Sequence, residues 1–152
     1  MIQRIQSLYL LIVAILTFLV AKFPLMELVT GDGTICNVNV LGVYAGNNLE
    51  YSVWVLLALS IINILIATGT ILLFKKRILQ IRLSVFNILL IIGFYILLGV
   101  YYWVIREKFS AEVINFKWTV MLPAINIVLS YLAIRAIGKD EAMVRAVDRL
   151  RY

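Results

Sequence analysis

Residues 51–105 read YSVWVLLALS IINILIATGT ILLFKKRILQ IRLSVFNILL IIGFYILLGV YYWVI. Two uncharged runs, 51–74 and 83–105, flank a short basic turn at 75–82. A helix needs about 20 mostly apolar residues to cross a bilayer core of roughly 30 Å. Both runs exceed that length, and the basic turn between them suits an antiparallel pair. Outward from this pair lie two shorter uncharged runs, between Arg4 and Lys22 and between Lys117 and Arg135. They stand at the lower limit for a span, and suffice if Lys22 and Arg135 extend their charged heads toward the interface. The pattern predicts four spans at about 5–23, 51–74, 83–105 and 118–137. An outer loop at 24–50 and a tail at 138–152 complete a single domain over 1–152.

Composition agrees. Of 152 residues, 64% are hydrophobic and 14% charged, with a mean hydropathy of +1.03. A soluble domain is about 45–50% apolar and about 25% charged. Disordered chains, disulfide-stapled secreted domains and ordinary soluble folds are therefore excluded. A cleaved signal peptide is not expected, because the basic n-region is weak and no A-x-A site follows.

Lys and Arg set the expected orientation. With both termini inside, the inner segments hold ten of them: Arg4, Lys75, Lys76, Arg77, Arg82, Arg135, Lys139, Arg145, Arg149 and Arg151. The outer segments hold four: Lys22, Arg106, Lys108 and Lys117. Positive charge concentrates on the cytoplasmic side of membrane proteins, so both termini are expected there. Tyr51, Trp54, Tyr101, Tyr102, Trp103 and Trp118 then form an aromatic belt at the outer interface. In the outer loop, residues 27–30 and 34–40 are β-prone and flank Gly31-Asp32-Gly33, which predicts a short extracytoplasmic β-hairpin. The second outer loop, 106–117, is short and mixed in charge. In the tail, Met143, Val147 and Leu150 recur at i, i+4, i+7 among arginines. Asp140 and Glu141 stand near its expected start, which suits a helix dipole. That predicts a separate cytoplasmic amphipathic helix lying on the membrane surface.

Little points to chemistry. With no histidine, haem and zinc sites built on imidazole are excluded. A lone cysteine, Cys36, excludes four-helix membrane disulfide oxidases, which need cysteine pairs. No charge lies within a span, so the membrane carboxylate of small four-helix drug exporters is missing. Gly42-Val-Tyr-Ala-Gly46 matches a small-xxx-small helix motif but lies in the outer loop, so it is discounted. Glu107 and Glu112 are the acids of the short outer loop, and without a metal-ligand set they do not suggest a lipid enzyme. No enzyme activity, no cofactor, no metal and no nucleic acid is expected.

The informative polar residues are neutral. Ser60, Asn63, Ala67 and Thr70 share one helix face, as do Thr119, Pro123, Asn126, Ser130 and Ala133. Ser7, Ala14, Thr17 and Ala21 form a third seam. Ser84 and Asn87, with Gly93 and Gly99 above them, form a patch on the third span. The seams are read as the bundle interior, with amides bonding across it at about 0.6 kcal/mol each. The competing reading makes Asn63, Asn87, Asn126 and Ser130 line a polar cavity for a substrate. Pro123, in the first turn of its span, predicts a local kink.

The two ends carry a family resemblance. Met1-Ile-Gln-Arg-Ile-Gln-Ser7 runs directly into the first span. Tyr131-Leu-Ala-Ile-Arg-Ala-Ile137, Lys139-Asp-Glu141, Val144-Arg145 and Asp148-Arg-Leu-Arg151 close the chain. Together they resemble a family of short four-span inner-membrane proteins of Bacteroidota, classed as a domain of unknown function. The resemblance covers the whole chain in length and span order. Gly138 and Ala142 stand where that family usually carries a charge. It implies a bacterial inner-membrane location and carries no activity.

The expected fold is an all-α integral membrane bundle of four helices. The expected function is a non-enzymatic accessory or assembly subunit. It would dock a partner protein or anionic lipid headgroups through Arg4, Lys75, Lys76, Arg77, Arg82, Arg145, Arg149 and Arg151. The alternative is a small oligomeric transporter or channel using the neutral polar seam. A homo-oligomer suits either.

Overall fold

The four apolar runs form four helices in a computed structural model that describes residues 2–73 and 75–150, with side chains from 5–73 and 75–149. Helix α1 is Ile2–Lys22, α2 Trp54–Leu72, α3 Arg77–Lys108 and α4 Leu122–Leu150. All four are long and apolar enough to cross a membrane. Each packs on its neighbours in sequence, and α4 closes the ring against α1. The ends of the bundle differ. One receives the first turn of α1, the α2–α3 connection and the last turns of α4, and is the basic end. The other carries a β-sheet, and is the sheet end.

The sheet is larger than the sequence suggested. The expected hairpin is present as β1 (Met26–Thr30) and β2 (Ile35–Val38), antiparallel, with Gly33 at φ 77° in the turn. Two further strands follow, β3 (Gly42–Ala45) and β4 (Asn48–Ser52), and β5 (Ala111–Phe116) comes from the second loop. The order is β4-β3-β2-β1-β5, all antiparallel. The all-α expectation is corrected accordingly: the protein is mostly helical with a five-stranded antiparallel sheet. The cause is pairing at a distance. Val113, Ile114 and Phe116 are β-prone, but β5 needs β1 to satisfy its backbone, and two whole helices separate those strands in the chain. The Gly42–Gly46 stretch is strand, not helix. A Cβ on Gly42 would stand 2.6 Å from the Tyr51 carbonyl oxygen and against Leu49, so the residue must be glycine for β3 and β4 to approach. Tyr51 and Ser52 belong to β4, which moves the start of α2 to Trp54.

One sheet face alternates inward and merges with the bundle. Met26, Leu28, Val38 and Val43 are fully buried, and Met26 pairs with Val38 and Leu28 with Cys36. They pack in one cluster with Val20, Leu56, Phe94, Leu98, Ile105 and Leu122 of the helices. Lys117 bonds Glu27 across the β1–β5 edge at 2.7 Å. A 3-10 turn, Trp118–Met121, precedes α4, so the irregularity expected at Pro123 is a tight turn before the helix, not a kink within it. The Tyr95 hydroxyl donates to the Val120 carbonyl at 2.6 Å, satisfying one group that this turn frees.

The tail is the second correction. No separate helix lies among the described residues of the tail, 138–150; α4 continues unbroken to Leu150. One glycine, Gly138, costs about 1 kcal/mol against alanine, too little to end a helix whose next residues favour it. Likewise, Arg77–Arg82 belong to α3, so residues 73–76 alone connect α2 and α3, with Phe74 outside the described residues.

Candidate functional site: the basic end of the bundle

Helix α3 begins at Arg77, directly after Lys75 and Lys76, with no acidic residue in its first turn and no side-chain cap. The partial positive charge of a helix N-terminus makes this clustering unfavourable on its own. The acids that offset it come from α4. Arg77 Nη1 lies 3.3 Å from Asp140 Oδ2 and 4.0 Å from Glu141 Oε2. Glu141 Oε1 accepts from Arg145 Nε at 3.0 Å, one turn further on. Asp140, Arg77, Glu141 and Arg145 thus form one ion-pair chain that ties α4 to the α2–α3 connection. Asp140 and Glu141 do not cap a tail helix as the sequence suggested, because no helix starts there. The signal that would have revealed this is the Glu141–Arg145 spacing within an uninterrupted run of helix formers.

Around this chain the expected docking residues divide in two. Lys75, Lys76, Arg77 and Arg82 line one open groove of about 600 Å³, with Ile78, Leu79 and Val144 as its apolar part. Arg145 and Arg149 lie on a second face, with Ala142 and Ala146 between them. Residues 142–149 are all exposed. Gln6 of α1 donates to the Ala136 carbonyl at 3.2 Å, so α1 ends level with about residue 140 of α4. The remainder of α4 therefore runs about 15 Å past the start of α1 at about 1.5 Å per residue, with Val144 still beside the start of α3. It presents Met143, Val144 and Val147, the last 65% exposed, to whatever lies beyond. The Arg4 side chain, the Leu150 side chain and Arg151 lie outside the described residues.

The neutral seam is the second place of interest. Asn63, Asn87, Asn126 and Ser130 are all buried, as are Ser60, Thr70 and Ala67 on α2. The seams read for α2 and α4 face inward as expected. That of α1 does so at Thr17 alone: Gln6, Leu10, Val13 and Val20 are the buried residues beside it, and Ser7, Ala14 and Ala21, one position away, are half-buried. Gly93 and Gly99 are likewise off the inward stripe of α3, where Gln80, Ser84, Asn87, Ile91, Phe94 and Leu98 lie. Gln80 escaped the sequence reading because it sits between Arg77 and Arg82, in what looked like a turn. Among the described residues one bond between two side chains crosses the interior, Asn126 Nδ2 to Thr17 Oγ1 at 3.0 Å, while Asn63 bonds its own helix at Leu59. The interior is polar toward the basic end and apolar toward the sheet.

At the sheet end, Trp54, Trp103 and Trp118 are exposed and ring the bundle, with Tyr51, Tyr101 and Tyr102 half-buried beside them. Lys108 sits 4.0 Å over the Tyr51 ring. Among the described residues there is no cluster of three or more His, Cys, Asp or Glu that could hold a metal.

Comparison with known families places a match over nearly the whole chain. The model of a domain of unknown function, DUF4293, matches residues 2–150. No curated protein matches the chain.

Proposed function

Because the chain belongs to this family of unknown function, DUF4293, we propose a role from its two unlike ends. The protein is a membrane-embedded, non-enzymatic accessory or assembly subunit of the bacterial inner membrane, with its basic end in the cytoplasm. There it docks a partner protein of acidic surface through the end of α4. The observation that carries this reading is the projection of α4. Residues 142–149 are helical and exposed, with Val144 beside the start of α3, and they carry apolar and arginine faces past the start of α1. An isolated helix of this length is marginal in water, and α4 spares it the cost of nucleation. The direction of α4 favours a partner in the aqueous phase over a lipid surface for this segment, since it continues along the helix instead of bending onto the bundle's rim. The groove beside Lys75, Lys76 and Arg82 suits anionic headgroups, each basic residue there contributing about 1 kcal/mol. The transporter alternative draws no support from the interior, where the space beside Asn63 and Asn126 is about 10 Å³.

The test is site-specific photocrosslinking in the native membrane. A photoreactive residue at Val147 is expected to capture one defined protein, and a chain ending at Glu141 should no longer co-purify with it in mild detergent. A control probe at Ile92, on an apolar outward face, should capture lipid only. Equal co-purification by the full and shortened chains would refute docking through α4.

A further inference from the structure

Halfway along the bundle, Thr17 of α1, Ser60 and Asn63 of α2 and Asn126 of α4 line a space of about 10 Å³, with Val20, Ile91, Phe94 and Pro123 as its apolar part. A space of this size admits about one water molecule. Its hydrogen-bond accounting is specific. The Thr17 hydroxyl donates to the Val13 carbonyl at 2.8 Å and the Ser60 hydroxyl to the Leu56 carbonyl at 2.9 Å. Asn63 Nδ2 donates to the Leu59 carbonyl at 3.0 Å, and Asn126 Nδ2 to Thr17 Oγ1 at 3.0 Å. A carbonyl can only accept, and the one Thr17 proton is already committed. Both amides are therefore fixed in orientation, nitrogen toward these acceptors. Asn63 Oδ1 and Asn126 Oδ1 are left without a donor among the described residues, in side chains only 3% and 1% exposed.

We propose that this space is a binding site for one structural water, which donates one O–H to Asn63 Oδ1 and the other to Asn126 Oδ1. The site needs a donor of two hydrogens in the volume of one small molecule, and water is that donor. A monovalent cation would also meet oxygen atoms, but no carboxylate is buried among the described residues of the interior to offset its charge. The water ties α2 to α4. These helices stand at opposite corners of the ring, and the side-chain bond from Asn126 reaches α1 instead. Asn63 and Asn126 are thereby coupled with no direct hydrogen bond between them. This site is independent of the docking reading.

The experiment uses the full chain in lipid nanodiscs, with ¹³C-labelled asparagine and leucine, and water-edited solid-state NMR. Magnetisation from water protons is expected at the Asn63 and Asn126 carboxamide carbons at short mixing times and not at the Leu56 methyls. The spectrum should be the same in sodium and in choline buffer. In parallel, thermal unfolding of Asn63→Leu, Asn126→Leu and the double variant should show a combined loss clearly smaller than the sum of the single losses. No transfer from water at either carboxamide would overturn the proposal. So would sodium-dependent shifts of both signals, which would make the ligand a cation, or strictly additive losses.

Discussion

Replacing Ala142 with proline tests whether the end of α4 is a continuation of the bundle helix. In an α-helix the residue-142 amide donates to the carbonyl of Gly138. Proline removes that donor and sets its ring against the same carbonyl, costing about 3 kcal/mol in a helix interior. That is a factor of roughly 150 in the local helix equilibrium. What opposes it is small. The Glu141–Arg145 pair, with Arg145 64% exposed, contributes about 0.3–0.5 kcal/mol at most. Beyond the break only 142–150 remain helical, a shorter stretch than the roughly 12–15 residues an isolated helix needs. The shorter of the Arg77 pairs, to Asp140, lies before Glu141, the residue that the proline pushes out of the helical region, and is retained. Hydrogen exchange read by mass spectrometry should show protection of the 143–149 amides in the parent and exchange at unstructured rates in Ala142→Pro. Peptides from 122–137 should be unchanged, and the thermal midpoint should move by less than the equivalent of about 0.5 kcal/mol. Unprotected 143–149 amides in the parent would refute the continuous helix. A large drop in midpoint would refute the claim that this segment is independent of the core.

Three further outcomes follow from the packing and are read by thermal unfolding in detergent. Gly42→Ala should destabilise by about 1–3 kcal/mol, because its Cβ meets the Tyr51 carbonyl, whereas Gly99→Ala, open on every side, should be neutral or raise stability by up to about 1 kcal/mol. Leu28→Ala removes a fully buried side chain where sheet and bundle meet and should cost about 3–5 kcal/mol. Arg77→Ala leaves Asp140, whose side chain is 15% exposed, without its cation and should cost about 1–3 kcal/mol, with partial recovery in Arg77→Lys.

The four helices were readable because span length is a local property, summed over about 20 neighbouring residues. The inward faces of α2 and α4 were readable for the same reason, since neutral polar residues recur there at helical spacing. On α1 the same rule chose Ser7, Ala14 and Ala21, which are small, over Gln6, Leu10 and Val13, which face inward. Small size alone did not mark the interface there. The sheet was half readable. The β1–β2 turn is written in Gly31-Asp32-Gly33. The place of β5 depends on Leu28 facing Ile114 and on Glu27 meeting Lys117, contacts between segments with α2 and α3 between them that no local pattern encodes. The basic end failed differently. Each charge was counted toward orientation, but the pairing of Arg77 with Asp140 follows only from α4 running straight past residue 137.

The polar interior has a reason that does not require a substrate. The outward faces of these helices are as apolar as any core, with Leu8, Leu65, Ile96 and Val128 all more than half exposed. A helix apolar on every side gains nothing from hydrophobic burial by facing one way instead of another, so small and polar contacts must fix its rotation. Turning α4 by half a turn would move Asn126 and Ser130 to its apolar exterior, where the amide would lose Thr17. The sheet fixes the other degree of freedom. It anchors α1 and α2 through β1 and β4, and α3 and α4 through β5, so one end of the bundle is held in register by backbone pairing. The opposite end has no such clamp. There the Arg77–Asp140 pair and the Gln6–Ala136 bond hold the helices together, and there α4 leaves the bundle. On the docking role proposed above, backbone pairing at the sheet and a projecting helix at the far end would together hold the docking element at a fixed height above the bundle.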